Sequence, residues 1–269
     1  MDKTKIDWCD ATWNPITGCL HECDYCYARR IAERFKGYNK SSKSHYKRLN
    51  PQSAKHHAIF ETSEDMPPVT ISFDQKDHAE KISIAPYPFG FQPTLHRHLL
   101  NKPEKWKASK KIFVCSMADL FGAWVPDQWI EEVMAVCKSN PQHQYFFLTK
   151  NPRRYLQLSL QNKIPYKPEA PNLWFGTTIT RQNSLYFFSE RHNTFLSIEP
   201  LREEFYPIEK PDTDWVIVGA ETGNNKGKFI PSKGCVERIY AACDGIPVFM
   251  KDSLLNIVGE DLKQEYPSF

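Results

Sequence analysis

Short apolar runs alternate with longer stretches of helical periodicity along most of this chain. The runs are Lys111-Ile112-Phe113-Val114-Cys115-Ser116-Met117, Tyr145-Phe146-Phe147-Leu148-Thr149, Leu173-Trp174-Phe175-Gly176-Thr177-Thr178, Thr194-Phe195-Leu196-Ser197-Ile198, Trp215-Val216-Ile217-Val218-Gly219 and Pro247-Val248-Phe249-Met250. Continuous apolar runs of this kind suit parallel strands covered on both faces. Between them, Trp129, Ile130, Val133, Met134 and Cys137 share one face of a helix that begins at Pro126-Asp127. A second helix is expected over 152–160. A third is expected over 232–243, with Val236, Ile239, Tyr240 and Cys243 at helical spacing. Strands alternating with helices imply right-handed βαβ units. An early strand near Thr12 to Thr17 brings the count to about seven, mainly parallel. The expected fold is therefore α/β, a partial or modified (β/α) barrel in a single domain over residues 1–269.

Each run closes on polar residues. Ser116 and Asp119 follow the first, and Thr149, Lys150 and Asn151 the second. Thr178 and Thr180 close the third, Ser197 and Glu199 the fourth, Glu221 and Thr222 the fifth, Lys251 and Asp252 the last. Parallel barrels carry their chemistry at the C-terminal ends of strands. Repetition at every strand favours a shared site over ordinary loop starts. Residues 36–68 interrupt the pattern. From Lys36 to Phe60 there are six Lys or Arg and no Asp or Glu, so a basic insertion or mobile loop is expected after the first helix. No internal repeat is visible.

Composition narrows the classes. The 269 residues are 41% hydrophobic, enough for a full core, and the net charge of +3 neither demands nor excludes a nucleic-acid partner. The N-terminus has no apolar leader and no run of 18 apolar residues occurs, so a cytoplasmic protein without a membrane span is expected. Cytosolic thiols serve metals or catalysis more than disulfides. Of eight cysteines, three lie in Gly18-Cys19-Leu20-His21-Glu22-Cys23-Asp24-Tyr25-Cys26-Tyr27, spaced C-x3-C-x2-C. Closely spaced soft thiolates can wrap a [4Fe–4S] cluster, and three of them leave one iron open. Zinc is the competing reading. It needs four ligands, and His21, Cys9 or Cys115 would have to complete the set. Cys137, Cys235 and Cys243 fall on apolar helix faces and read as core, as do Trp13 and Trp124.

The cysteine spacing, with an aromatic before its last member, resembles the radical SAM superfamily. Further phrases are similar to a phage-associated radical SAM-like family of unknown function. They are residues 10–19 (Asp-Ala-Thr-Trp-Asn-Pro-Ile-Thr-Gly-Cys), 113–121, 196–201 and 215–223. The similarity runs from about residue 7 to residue 252 apart from the insertion. Two departures are Ala220, in place of a second glycine, and Thr180-Arg181-Gln182, where an acid is common. The resemblance implies a [4Fe–4S] cluster on Cys19, Cys23 and Cys26 that reductively cleaves S-adenosylmethionine (SAM) to a 5′-deoxyadenosyl radical, which abstracts hydrogen from a substrate. It implies SAM contacts from Tyr25, Ser116, Met117, Asp119, Thr178, Glu199, Gly219 and Glu221, with Asp119 at the amino group and Tyr25 near adenine. Lys150 and Lys251 are candidate anion ligands. Cys115 is a candidate hydrogen donor to a product radical, or else a small core residue. A nucleic acid or nucleotide is the expected substrate, on the strength of the basic segment. An external electron donor is needed, and a protein partner is suggested by the resemblance. A peptide or small-metabolite substrate, and a non-enzymatic metal-stabilised binding module, are the alternatives.

Overall fold

The computed structural model describes residues 4–40, 43–50, 57–73, 80–206, 209–223 and 228–269. In chain order the strands are β1 (Ala11–Trp13), β2 (Ile16–Thr17), β3 (Tyr46–Leu49), β4 (Ile59–Thr62), β5 (Val69–Phe73), β6 (Glu80–Ile84), β7 (Thr94–His96), β8 (Lys111–Val114), β9 (Gln144–Thr149), β10 (Leu173–Thr178), β11 (Asn193–Leu201), β12 (Val216–Ala220) and β13 (Val248–Met250). The α-helices are α1 (Tyr27–Arg34), α2 (Asp127–Ser139), α3 (Pro152–Leu160), α4 (Lys233–Ala242) and the single turn α5 (Leu255–Val258). Two compact units result. One comprises Met1–Thr12, Ala108–Phe113 and Pro141–Phe269; the other comprises Trp13–Lys107 and Val114–Asn140.

The first unit carries a seven-stranded sheet in the order β1-β8-β9-β10-β11-β12-β13. The sheet is parallel and curled into a half-barrel, as the alternating apolar runs require. Strand side chains alternate between faces, and the two faces differ. On one face Leu196, Ile198, Val216, Val218, Val248 and Met250 pack against Cys235, Val236, Ile239 and Cys243 of the α4 region. Phe175 on that side meets Tyr155 of α3 at 5.3 Å between ring centroids. On the other face Trp8, Phe146, Trp174, Phe195, Trp215 and Phe249 form an aromatic layer. Each such ring contributes roughly 1.5–3 kcal/mol by leaving water. Gly176 makes room for this layer: a Cβ there would lie 2.2 Å from the Phe195 ring. Ser232 caps α4 by accepting from the Cys235 amide at 3.0 Å.

The second unit holds a four-stranded sheet, order β2-β7-β4-β3, and the hairpin β5–β6. The strand expected near Thr12 to Thr17 is therefore broken. Its first part joins the seven-stranded sheet and its second the four-stranded one. The break falls at Asn14-Pro15, because Pro15 has no N–H for a ladder and restricts the residue before it. The stretch expected as a loop over 36–68 contains β3 and β4, paired antiparallel from Tyr46↔Thr62 to Leu49↔Ile59. Arg97 ties this sheet to α2, bonding Glu61 at 2.8 Å and Glu132. Thr17 and His96 pair at 2.8 Å in the buried interior. Burial pushes His96 down to about 3, so it stays neutral. Among the described residues no helix is long and apolar enough to cross a membrane.

Gly176→Ala is expected to destabilise the protein by about 1–3 kcal/mol through overpacking. Phe195→Leu in the same chain should recover part of that loss, because the clash is with one ring. Chemical denaturation of the two single variants and the double variant checks this. Strictly additive losses would place the strain elsewhere.

Candidate functional site

The cysteine loop runs from the end of β2 to the start of α1, inside the second unit. Its entry is fixed by Gly18, at φ +88°, where a Cβ would lie 2.3 Å from the Gln92 carbonyl oxygen. Only glycine meets both conditions without strain. The Gly18 amide donates to the Met117 carbonyl at 2.9 Å and the Cys19 amide to the Phe91 carbonyl at 3.2 Å. Cys26 closes the loop. Its amide donates to the Cys23 carbonyl at 3.2 Å. Its sulfur caps α1, accepting from the Arg29 amide at 3.4 Å. Cys19 and Cys26 pack against an apolar floor of Ala28, Ala32, Phe91 and Met117.

All eight cysteines are free thiols. Burial pushes Cys19 up to about 12, with the Asp119 carboxylate adding to the effect and Cys23 and Cys26 contributing as close neighbours. Among the described residues no three His, Cys, Asp or Glu side chains are gathered about a single metal ion. A lone zinc ion requires such convergence. A [4Fe–4S] cluster takes each thiolate on a separate iron and so requires no convergence of three donors on one ion.

The segment after β8 is fastened to the cysteine loop by side chains from several places. Asn14 Oδ1 accepts from Ser116 Oγ and from the Met117 amide, both at 3.1 Å. The Tyr27 hydroxyl donates to the Ser116 carbonyl at 2.9 Å. Asp119 is buried, and its Oδ1 accepts from the Phe121 amide at 3.0 Å. Its Oδ2 meets His21 Nε2 at 2.7 Å. His21 in turn lies edge-on to Trp124, 4.9 Å between centroids. The Trp124 indole N–H is buried without a hydrogen-bond partner among the described residues. Cys115 is buried at φ +59°, an uncommon conformation for a non-glycine residue. Burial pushes its thiol up to about 12, so it keeps its proton.

The structure thus brings together Cys19, Cys23, Cys26, Ser116, Met117 and Asp119. Asn14, His21 and Tyr27 join them; of these the spacing had pointed only to His21, and to it as a possible zinc ligand rather than as the partner of Asp119. The Asn-Pro pair ahead of the motif was the available signal for Asn14. Tyr25 is half-buried, with its amide on Asp24 Oδ1 at 3.0 Å, and it is Tyr27 that reaches Ser116.

Thr178, Glu199, Gly219, Glu221, Lys150 and Lys251 belong to the first unit. Thr178, Glu199, Gly219 and Glu221 lie at the C-terminal ends of the adjacent strands β10, β11 and β12 or just beyond. Lys251 Nζ stands 2.5 Å from Glu199 Oε1 and 3.9 Å from Asp7 Oδ1. Asp7 Oδ2 accepts from the Asp252 amide at 2.8 Å. Gly219 leaves room for this pair, since a Cβ would sit 3.0 Å from Lys251 Cδ and 3.2 Å from Glu199 Cγ. Glu221 is buried, with Arg202 Nε 3.9 Å from its Oε2. Glu199 and Lys251, expected as ligand contacts, therefore balance each other's charge.

Asp119→Ala is expected to cost about 1–3 kcal/mol, because it orphans the Phe121 amide and His21. Asp119→Asn should cost less, since its amide oxygen can still accept from Phe121. Denaturant titration of both variants checks this. Equal losses would assign the effect to the carboxylate charge rather than to the turn.

The family model of a protein of unknown function (DUF5131) matches residues 3–253. Comparison with curated proteins and with solved structures returns no match. This corrects the expectation drawn from the radical SAM resemblance and its phage-associated relative: no radical SAM family model matches. All the phrases that carried the resemblance lie inside the matched stretch. The chain belongs to the DUF5131 family, whose function is unknown.

Proposed function

We propose that this protein is an iron–sulfur enzyme that cleaves S-adenosylmethionine, with Cys19, Cys23 and Cys26 as ligands of a [4Fe–4S] cluster. The observation that carries the reading is the cysteine loop itself. It presents three free thiols in one short segment, pinned at Gly18 and capped onto α1 at Cys26. When bound, a reduced cluster with one open iron supplies the electron that splits the sulfur–C5′ bond of SAM and so generates a radical able to abstract hydrogen from a substrate.

The chain's own residues have distinct tasks in this reading. The Arg29 amide, which donates to Cys26 Sγ, fixes the direction in which that sulfur would face a cluster. Ala28, Ala32, Phe91 and Met117 keep water from the inner side of the loop. Asn14 holds the Ser116–Met117 backbone, so that segment is rigid enough to position a ligand. The buried Trp124 N–H, without a hydrogen-bond partner among the described residues, lies beside His21. Asp119 acts through His21 and the turn at Phe121 and is a positioning residue. Cys115, kept protonated by burial, has the S–H form a hydrogen donor needs. The substrate in this reading is a nucleic acid or nucleotide, supported by the run of cations between Lys36 and Phe60. An external carrier delivers the electron.

Anaerobic reconstitution should load one [4Fe–4S] cluster per chain. Adding dithionite and SAM should then release 5′-deoxyadenosine. The variant with all three cysteines changed to Ala should lose the iron, the sulfide and the product together. Full iron and sulfide in that variant, or a loaded wild type that yields no deoxyadenosine, would sink the proposal.

A further inference from the structure

We infer that the outer edge of the four-stranded sheet is a docking surface for single-stranded nucleic acid, with Tyr46 as the base-stacking residue and Lys43 and Arg48 as the phosphate contacts. This deepens the substrate half of the reading above and rests on it only there.

Not every cation of the run between Lys36 and Phe60 is available to a ligand. Lys36 is spent on Glu33 at 2.8 Å. Lys55, the last cation of the run, lies outside the described residues. Lys43, Lys47 and Arg48 are exposed and carry no ion pair among the described residues. Glu61, directly across from Lys47 in the β3–β4 register, is committed to Arg97 at 2.8 Å. Lys47 and Arg48 stand on opposite faces of β3, the strand at the sheet's edge, and Lys43 lies just before it.

The same strand carries a stacking platform. Opposed residues of an antiparallel pair project to the same face, so Tyr46, Arg48 and Phe60 share one side of the hairpin. Phe60 and Phe89 stack at 3.9 Å with 12° between their planes. Tyr46 stands edge-on to Phe89 at 4.8 Å and to Phe60 at 6.1 Å. Tyr38 closes the group, its ring 6.0 Å from Tyr46 and its hydroxyl 3.3 Å from the Tyr46 hydroxyl. Tyr46 is thus held in one orientation from behind, yet it is 43% exposed. A rigid, open ring beside Arg48, which carries no ion pair among the described residues, is the arrangement that binds bases by their faces and the backbone by its charge. Arg48 is two residues from Tyr46 on the same face, about 7 Å along a strand, the spacing of neighbouring nucleotides in an extended single strand. A duplex keeps its bases stacked inside and offers this ring nothing. An acidic peptide would use the cations but leave the ring idle.

The test is fluorescence anisotropy with the full-length protein, using labelled U12 and dT12 oligonucleotides, a 12-base-pair duplex and poly-Glu, across a salt series. Wild type should bind both single strands more tightly than the duplex or poly-Glu. Tyr46→Ala should weaken single-strand binding about five- to a hundred-fold, with an unchanged salt slope. Tyr46→Phe, which keeps the ring, should retain affinity. Lys43→Gln and Arg48→Gln together should flatten the slope by about 1.4, at roughly 0.7 per phosphate contact, whereas Lys47→Gln, on the other face, should leave it unchanged. Thermal melts of every variant separate lost binding from lost folding. Equal affinities and slopes for all variants that fold, or equal binding of duplex or poly-Glu, would overturn the inference. Deoxyadenosine release without oligonucleotide is measured alongside. If it persists while binding fails, the surface is wrong and the SAM reading stands; the opposite pattern condemns the SAM reading alone.

Discussion

Side chains on a β-strand alternate between two faces, and on the seven-stranded sheet that constraint decides what each face can do. Once Leu196, Val216 and Val248 are buried under α4, the residues between them must point the other way. Phe195, Ile217 and Phe249 then fill the second face. Two steps further along the same strands, that face reaches Ser197, Gly219 and Lys251. Bulk gives way to small residues and then to charge along a single direction. Gly176 and Gly219 are parts of this gradient: one yields space to an aromatic ring, the other to an ion pair.

The second unit solves a different problem, that of holding an irregular loop still. Backbone polar groups in such a loop must find partners outside a ladder. Gly18 and Cys19 donate to backbone carbonyls, Cys26 borrows the helix start, and Asn14 satisfies two groups of the segment after β8. Buried Asp119 is tolerable because both of its oxygens are engaged. The thiols are thereby presented on a fixed backbone.

Much of this was legible in the sequence where apolar periodicity was strong. The runs at Ile112, Phe146, Trp174, Phe195, Val216 and Phe249 became β8 to β13 without exception, and Pro126, Pro152 and Ser232 marked the starts of α2, α3 and α4. The four-stranded sheet was illegible for a physical reason. Tyr46-Lys47-Arg48-Leu49 is an edge strand whose first three residues face solvent, so it has no apolar signature to read. The cysteine positions could be read from their spacing, but their supports could not. His21, Asn14 and Tyr27 find their partners about 90 to 100 residues away, contacts that no local pattern encodes. The family resemblance was the least secure guide, because shared phrases do not by themselves say which family owns them.

Cys26 has one feature whose effect reaches past the loop. Its sulfur both ends the loop and begins α1, because the Arg29 amide is bonded to it at 3.4 Å. An N–H directed at a metal-bound thiolate withdraws electron density and raises the reduction potential of the centre. Any centre on Cys26 would therefore draw part of its appetite for an electron from the order of an eight-residue helix. Fraying of that first turn would make the centre harder to reduce, so the helix would act as a potentiometer as well as a scaffold.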